Sequence, residues 1–271
     1  MQEKIKKILK VFISIFIVST VVFFWTEKAF YYFNKKDDLA GLPCFISGSI
    51  ATIEIKGEIV PYFTDTYTSE ESNNPDSQTS AEEIIYCIGK IQRENDVKAV
   101  TLEINSYGGS PVASQEIMDA IKGLNVPSVA VIREGAVSGA YLIASATNRI
   151  FASEISDVGG IGVTMSYLDY SGKNQEEGIA YQQLSSGKFK DAGDPDKPLT
   201  ADEREILLRD LKISHDFFIK KVAQNRKLDI EKVKALADGS SMLGMAAKEK
   251  GLIDEIGGRQ EAENWIDTNF N

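Results

Sequence analysis

The stretch REGAVSGAYLIASATNRI, residues 133–150, contains two changes of secondary structure and one candidate nucleophile. It begins at the end of PSVAVIRE (127–134), an apolar run that predicts a strand. After a turn of small residues, Ser138 starts an alanine-rich run that predicts a helix, and NRIFAS (148–153) predicts a second strand. A strand, a helix and a strand in this order are typical of a βαβ unit, and therefore of a mostly parallel sheet.

The same alternation extends outward from this stretch in both directions. Upstream, Ser80 and Glu83 have the spacing of a capping box and predict the start of a helix. Downstream, a long helix is predicted from Thr200 to about Asn225, and shorter helices follow it. The predicted fold class is therefore α/β, built from repeated βαβ units. Further strands are expected over residues 49–60, 97–104, 159–166 and 179–185, and a polar loop over 64–80.

Charge is distributed unevenly along the chain. The formal net charge is −10 for the whole sequence, whereas residues 1–36, with seven lysines and two glutamates, carry +5, so the remaining residues carry −15. Nucleic-acid binding needs clustered lysine and arginine, so an acidic body of this kind excludes DNA and RNA as expected partners. Residues 37–271 are long enough to form one domain with a substantial core.

The N-terminal segment has the pattern of a transmembrane helix. Four lysines precede an uncharged apolar run from Val11 to Trp25, no A-x-A-like cleavage site follows, and the aromatic residues 30–33 are typical of a membrane interface. The preferred interpretation is an uncleaved signal anchor in residues 1–36, with a cytoplasmic N-terminus. A cleaved signal peptide is the alternative. Residues 37–271 would then form an extracytoplasmic domain attached to the cell membrane by a single span.

The residues that most often bind metals are few and scattered. Cys44, Cys87 and the single histidine, His215, lie far apart in the sequence and form no ligand set. An oxidising compartment would permit a disulfide between the cysteines. Because Cys87 lies on a predicted helix among apolar neighbours, a buried free thiol is the expectation. The sequence thus predicts no metal site.

Two loops follow predicted parallel strands and are candidates for parts of a catalytic site. NSYGGSP (105–111) follows the strand over 97–104, and its adjacent glycines leave backbone N–H groups uncovered. Ser138 follows the next strand, and ligands bind at this end of strands in α/β sheets. The N–H groups of Gly109 and Ser138 would then form an oxyanion site. A tight turn for the glycines and a simple helix N-cap for Ser138 remain as alternatives.

A serine nucleophile needs a proton acceptor, and the sequence offers few. His215 lies within the long predicted helix with no motif around it, and we expect a surface or packed residue. A lysine is the remaining common partner of serine, provided that desolvation or nearby positive charge makes it neutral. SSGKFKDAGD (185–194) contains Lys188 and Lys190, and both are also compatible with ordinary solvated lysines.

The order of these segments resembles that of the signal peptide peptidase A (protease IV) family of membrane-bound serine proteases, in its half-length, single-domain form. The resemblance covers roughly residues 49–265 and rests on five short motifs in the family's order. They are INSYGGS (104–110), VSGAYLIAS (137–145), VGGIGV (158–163), SGKFKDA (186–192) and GLIDEIGG (251–258).

This resemblance implies a crotonase-like, Clp-protease-like fold and a Ser–Lys dyad. By position, Ser138 is the nucleophile and Lys190 the general base, whereas Lys188 precedes the aligned position. The oxyanion donors are the N–H groups of Gly109 and Ser138. The resemblance also implies peptide substrates such as remnant signal peptides and other membrane or misfolded fragments, and no cofactor or metal. It further implies a homo-oligomeric ring in which the serine and the lysine come from adjacent subunits.

Three residues depart from the family's pattern. Tyr107 replaces proline in the Gly-Gly loop, Ala140 replaces the second glycine after the serine, and Ser240 stands where arginine is usual. The first two bear on the shape of the oxyanion site, and they leave open a catalytically impaired, membrane-tethered scaffold of the same fold. A crotonase-type acyl-CoA enzyme is a further alternative, in which paired N–H groups would bind a thioester oxygen.

Overall fold

The computed structural model describes residues 41–63 and 78–270. The anchor predicted in residues 1–36 and most of the loop predicted over 64–80 lie outside the described residues. Within the two described ranges, no helix combines the length and the apolar character that a membrane span requires.

Strands and helices alternate along most of the described chain. The strands are β1 (Cys44–Ser47), β2 (Ile50–Lys56), β3 (Glu58–Val60), β4 (Gln78–Ser80), β5 (Ala99–Ser106), β6 (Ser128–Val137), β7 (Arg149–Ala152), β8 (Asp157–Gly159), β9 (Ser241–Leu243) and β10 (Glu255–Ile256). The helices are α1 (Ala81–Ile91), α2 (Pro111–Lys122), α3 (Gly139–Ser145), α4 (Ser171–Glu176), α5 (Ala201–Arg226), α6 (Ile230–Ala235), α7 (Gly244–Lys250) and α8 (Arg259–Phe270).

A mostly parallel sheet forms the centre of the fold. Its strands run in the order β1-β2-β5-β6-β7-β10, and of these neighbouring pairs β1 with β2 is the antiparallel one. β8 pairs with the C-terminal end of β6, and β9 lies antiparallel to β8. Because β5 and β6 are adjacent and parallel, their C-terminal ends meet, and Ser106 pairs there with Ala136. The predicted α/β class is confirmed, and both candidate loops leave the sheet at this edge.

Helices cover both faces of the central strands, which explains why these strands are continuous apolar runs in the sequence. On one face, α1, α2, α3 and the C-terminal half of α5 enclose the larger core, which includes Leu102, Ile117 and Val222. On the other face, α8 packs against β6 through a smaller cluster that includes Ile266 and Val131. The two cores hold the strand ends of β5 and β6 in a fixed relation.

The N-terminal half of α5 and the segment before it contribute little to these cores. Residues 164–200 are mostly exposed, and the first buried apolar side chain of α5 is Phe218. The start of α5 has the predicted capping box. The Thr200 hydroxyl accepts from the Glu203 N–H (3.3 Å), and the Glu203 carboxylate accepts from the Thr200 N–H (2.9 Å).

Two predicted strands are wrong. β8 ends at Gly159, so the strand expected over 159–166 is not formed, and residues 179–185 have no regular structure. Both segments have the composition of strands, but a strand also needs a neighbour to accept and donate its backbone hydrogen bonds. Beyond Gly160 the described chain leaves the sheet, and α4 is the next regular element.

Cys44 and Cys87 are joined by a disulfide, so the expectation of a free thiol is wrong. Cys44 lies on β1 and Cys87 on the buried face of α1, and their Cα atoms are 6.2 Å apart, within the usual range for a bridge. The packing of α1 beside the antiparallel edge of the sheet brings the two residues together across 43 positions of sequence. The bond therefore connects the edge strand β1 to α1.

Candidate active site

The loop after β5 brings uncovered main chain next to Ser138. Gly108 has a φ of +102°, and a Cβ at this position would lie 2.9 Å from both the Ser138 Cβ and the Gly139 nitrogen, so glycine is required. β3 holds the loop on its other side, because the Ile59 N–H donates to the Gly108 carbonyl (2.9 Å) and the Ser110 N–H donates to the Ile59 carbonyl (2.7 Å). The Gly-Gly loop is thus fixed between β3 and the Ser138 turn.

Ser138 occupies a sharp turn between β6 and α3. Its φ of 55° and ψ of −127° lie where residues other than glycine are rare, and strain of this kind costs on the order of 1–3 kcal/mol. The Ser138 carbonyl accepts from the Leu142 N–H (3.0 Å), but the side chain makes no capping hydrogen bond. Ser138 therefore stands at the N-cap position without using its hydroxyl as a cap, and the hydroxyl is available for chemistry.

The main-chain donors differ from the expectation at one position. The Ser138 N–H, expected to face an oxyanion, instead donates to the Gly159 carbonyl at 2.8 Å, because β8 continues to pair with β6 up to the turn. Among the described residues, the N–H groups of Gly109 and Gly139 have no hydrogen-bond acceptor. A Cβ on Gly139 would lie 3.7 Å from the Gly109 nitrogen, so two uncommitted donors from neighbouring loops lie close together beside Ser138.

Buried polar contacts hold α3, and therefore Ser138, against the rest of the domain. The hydroxyl of the fully buried Tyr141 donates to the Leu252 carbonyl (2.9 Å), and burial raises the pKa of this phenol. Farther along α3, the Asn225 side chain of α5 donates to the Ser145 hydroxyl (3.0 Å). Ala140, which replaces a glycine of the family's pattern, is fully buried, so its methyl group is packed inside the core.

Ser138 lies in a cleft of about 1030 Å³, a size suited to a peptide segment. One wall is made of glycine-rich main chain, including Gly109, Gly160 and Gly162. A second wall comes from the middle of α5, between Leu208 and Phe218, where the side chains are mainly apolar. The α5 residues that line the cleft are Leu208, Leu211, Lys212, Ile213, Ser214, His215, Phe217 and Phe218.

Tyr107, which replaces a proline of the family's pattern, lines the same cleft. Its side chain is 60% exposed, and a Cβ on Gly135 would lie 3.3 Å from the Tyr107 ring. The ring therefore lies along the end of β6 and leaves Ser138 within the cleft. The substitution adds an aromatic surface to the cleft without filling it.

Lys190 is not among the residues that line the Ser138 cleft. It is exposed, and its N–H donates to the Gly187 carbonyl (3.1 Å) in the segment that precedes α5. Lys188 is exposed as well, forms an ion pair with Asp202 and lies over the Phe189 ring. The residues that line the cleft in a single copy of the chain therefore include the predicted nucleophile but not the predicted base.

His215, which we expected to be a surface or packed residue, lines the cleft with Ser138. The residue is half-buried, and its Nε2 atom is buried with no hydrogen-bond partner among the described residues. No local motif marks this position, and the direction in which α5 crosses the cleft is what brings His215 there. The nearby Lys212–Asp216 ion pair (2.7 Å) holds Lys212 and lowers the pKa of Asp216.

Comparison with known proteins gives matches along most of the chain. A model of peptidase family S49 matches residues 120–271, and a Clp protease model matches residues 72–155. The chain is 33% identical to a predicted protease of Methanocaldococcus jannaschii, over 79% of this chain and 68% of the relative. It is 38% identical to a predicted signal peptide peptidase SppA of Enterococcus faecium, over 64% of this chain and 51% of the relative. A ClpP1 mutant from Listeria monocytogenes superposes with a TM-score of 0.50 at 17% identity, covering 78% of this chain and 92% of that one.

The fold is thus the α/β fold of Clp proteases and crotonases, as expected. The chain belongs to peptidase family S49, the family of signal peptide peptidase A and protease IV, and is a serine protease of that family. It spans about half the length of the Enterococcus relative, and 28% of a chloroplastic serine protease SPPA of Arabidopsis thaliana to which it is 30% identical.

Proposed function

We propose that the protein is a membrane-anchored serine endopeptidase, with Ser138 as the nucleophile and Lys190 as the general base. The observation that carries the proposal is the strained Ser138, whose hydroxyl is uncapped, beside the unpaired N–H groups of Gly109 and Gly139. This arrangement presents a reactive oxygen and two preorganised donors in one cleft. In acyl transfer, donors of this kind stabilise the charge that develops on the substrate carbonyl oxygen.

The proposed reaction follows from these positions. The neutral Lys190 amine accepts the Ser138 hydroxyl proton as the Ser138 oxygen attacks the peptide carbonyl, and the carbonyl oxygen becomes an oxyanion held by Gly109 and Gly139. Lys190 then gives the proton to the leaving amine, the C–N bond breaks, and an acyl-enzyme remains. Water attacks the ester carbonyl and loses a proton to Lys190, and Lys190 returns this proton to the Ser138 oxygen as the ester C–O bond breaks, which releases the carboxyl product and regenerates the Ser138 hydroxyl and the neutral amine.

In this proposal Lys190 is supplied by a neighbouring subunit of a homo-oligomeric ring. Lys190 lies in an exposed segment that also exposes large apolar side chains, including Leu168 (65% exposed), Ile179 (55%) and Leu184 (97%). Such side chains together are typical of a surface that becomes covered on association. Packing of this segment against a second copy would desolvate Lys190 and favour its neutral form.

The proposed location is the outer side of the cell membrane, with residues 1–36 as a single-span anchor and residues 37–271 as the peptidase domain. The Cys44–Cys87 disulfide supports this location, because disulfides persist mainly in oxidising compartments. The substrates that we propose are remnant signal peptides and other membrane or misfolded peptide fragments. The apolar α5 wall of the cleft supports this class of peptide.

Fluorophosphonate labelling and peptide turnover test the proposal. The full chain in detergent should react with the probe and hydrolyse apolar peptides, and Ser138→Ala should lose both activities. Ser47→Ala, a change at an exposed serine on β1, is the matched control and should keep both. A scaffold would show neither labelling nor turnover, and an acyl-CoA enzyme would bind acyl-CoA without reacting with the probe.

A further inference from the structure

Four large side chains are exposed where the segment after β3 meets the start of α1. They are called the α1 patch below and are Tyr62, Phe63, Ile85 and Tyr86, each 39–60% exposed. The segment after β3 reaches α1 because the Glu82 N–H donates to the Pro61 carbonyl (3.1 Å). Tyr62 directly follows Pro61, whereas Ile85 and Tyr86 lie three and four positions after Glu82, on the same side of the helix. The two halves of the patch are therefore neighbours on the surface.

The packing of α1 does not account for the patch. Ile84, Cys87 and Ile88 lie on the buried face of the helix, so its outer face is expected to be polar. Ile85 and Tyr86 make that outer face apolar instead. The polar sequence that follows Phe63, residues 64–77, contains one aromatic residue and no aliphatic one, and so has little with which to cover the patch. Adjoining exposed apolar side chains of this kind mark an interaction site.

The described chain begins beside the patch. Cys44 is bonded to Cys87 on α1, with a Cα–Cα distance of 6.2 Å, and Gly41, the first described residue, is three positions before Cys44. Phe33, which ends the aromatic stretch expected at the membrane interface, is eight positions before Gly41. Eight residues span at most about 29 Å. An anchor in residues 1–36 would thus hold the patch within reach of the bilayer surface.

We propose that the α1 patch inserts into the interfacial region of the lipid bilayer beside the anchor, an inference that rests on the proposed anchor in residues 1–36. Tyrosine suits this region, because its ring is apolar and its hydroxyl stays in contact with water and headgroups. Burial of apolar side chains at the interface supplies the binding. The exposed carboxylate of Glu82 borders the patch, so the contact does not depend on anionic lipid.

This contact would orient the catalytic cleft. β3, which directly precedes the patch, holds the Gly-Gly loop of the cleft, because the Ile59 N–H donates to the Gly108 carbonyl (2.9 Å). The patch and the cleft therefore lie at the same edge of the domain. With the patch in the interface, the cleft would stay close to the bilayer, where peptide fragments emerge from the membrane.

A fluorescent dye at a single added cysteine tests the contact in the full chain. Cys44 and Cys87 are buried and joined in a disulfide, so the added thiol is the one that reacts. Phe63→Cys would be labelled with the dye NBD and reconstituted in phosphatidylcholine vesicles. Thr268→Cys is the matched control, because Thr268 is exposed on α8, across the sheet from α1. Lipids with a nitroxide near the headgroup should quench the dye at position 63 much more than at position 268, and high salt should not change this.

Three further substitutions separate insertion of the patch from insertion of the dye. In the labelled Phe63→Cys chain, Tyr62→Ser, Ile85→Ser and Tyr86→Ser together should reduce the quenching to the level of the control. In the unlabelled chain, the same three changes should lower turnover of a vesicle-embedded peptide several-fold and leave kcat for a soluble peptide unchanged. Circular dichroism establishes that the triple variant is folded, and Tyr62→Ser alone, outside α1, replaces it if it is not.

Quenching at position 63 no stronger than at position 268 would overturn the inference. A dye at position 63 that is shielded from aqueous iodide but not quenched by the lipid would also overturn it, because a neighbouring subunit would then cover the patch. Chains that do not float with the vesicles would contradict the proposed anchor, and the inference would fail with it. Vesicle-bound chains that hydrolyse no peptide would contradict the proposed peptidase function, whereas the quenching would still decide whether the patch meets lipid.

Discussion

The Ser138 N–H donates to the Gly159 carbonyl oxygen at 2.8 Å. This bond holds the turn between β6 and α3, and it is the Gly139 N–H, not that of Ser138, that has no acceptor among the described residues. Because β8 engages the last N–H before α3, the next residue, Gly139, supplies the N–H that lies nearest to the Gly-Gly loop. Sequence reasoning expected the Ser138 N–H to face an oxyanion, and in the structure this N–H is engaged by Gly159 instead. The bond also holds Ser138 at its positive φ, where an unsupported turn would relax toward ordinary helical geometry.

Substitution of Gly108 should disrupt catalysis. An alanine Cβ would lie 2.9 Å from the Ser138 Cβ and the Gly139 nitrogen, so it would push apart the two loops that carry the proposed oxyanion donors. Loss of one such donor typically lowers kcat by about 10²–10³-fold, and we expect Gly108→Ala to show a loss of this order. Gly123→Ala is the control, because the nearest atom to its Cβ would lie 3.4 Å away and φ there is ordinary. Wild-type turnover in Gly108→Ala would contradict the proposed geometry.

The Cys44–Cys87 bond should stabilise the domain measurably. The double variant Cys44→Ala, Cys87→Ala lacks a bridge that closes a long loop, and loss of a native disulfide typically costs about 2–5 kcal/mol of unfolding free energy. Urea unfolding without reductant measures the difference. Dithiothreitol should lower the stability of the wild type toward that of the double variant and leave the double variant unchanged. Equal urea midpoints for both proteins under oxidising conditions would show that the bond does not form in solution.

Structural features that depend only on residues close together in the sequence could be predicted from local signals. The capping box at Thr200 needs only a hydroxyl and a carboxylate three positions apart, and the Gly-Gly loop needs only its own conformation and a preceding strand. Features that depend on distant contacts were missed. Cys44 and Cys87 meet only through the packing of α1, and His215 reaches the cleft only through the direction of α5. The strand expected over 179–185 failed because strand composition does not reveal whether a neighbouring strand exists.

Acid should weaken the attachment of the segment that carries Lys190. Glu203 is buried, and its contacts with Lys197 and with the Thr200 N–H lower the pKa of its carboxyl group to about 2. A folded-state pKa below the unfolded value gives stability that is present at neutral pH and is lost as the pH falls toward 2. Glu203→Gln should therefore be less stable than the wild type at pH 7, and should lose less stability between pH 7 and pH 3.

Urea unfolding at several pH values measures this effect. Glu205→Gln, a change at an exposed position of the same helix, should follow the wild type throughout. If Glu203→Gln and the wild type lost stability in parallel as the pH fell, the proposed role of Glu203 would be wrong.

The assignment of Lys190 as the general base predicts that alanine substitutions of Lys188 and Lys190, which are two positions apart, affect kcat unequally. Lys190→Ala should lower kcat by about 10²–10⁴-fold, the usual contribution of general-base catalysis. Lys188→Ala removes an exposed ion pair with Asp202 and should leave kcat close to that of the wild type. His215→Ala should also retain most of kcat, even where its KM changes. An inactive His215→Ala together with an active Lys190→Ala, in proteins with matching circular dichroism, would reverse the assignment.

The central proposal is that Ser138 of one subunit works with Lys190 of its neighbour, and a mixing experiment tests it most directly. Ser138→Ala and Lys190→Ala chains, each inactive alone and each carrying a different tag, would be dissociated, mixed and reassembled. Tandem purification through both tags isolates the mixed oligomers, whose peptide turnover is then measured. We predict partial recovery of activity, because some sites would combine an intact Ser138 with a neighbour's intact Lys190. Mixed oligomers that contain both chains and remain inactive would contradict a dyad shared between subunits.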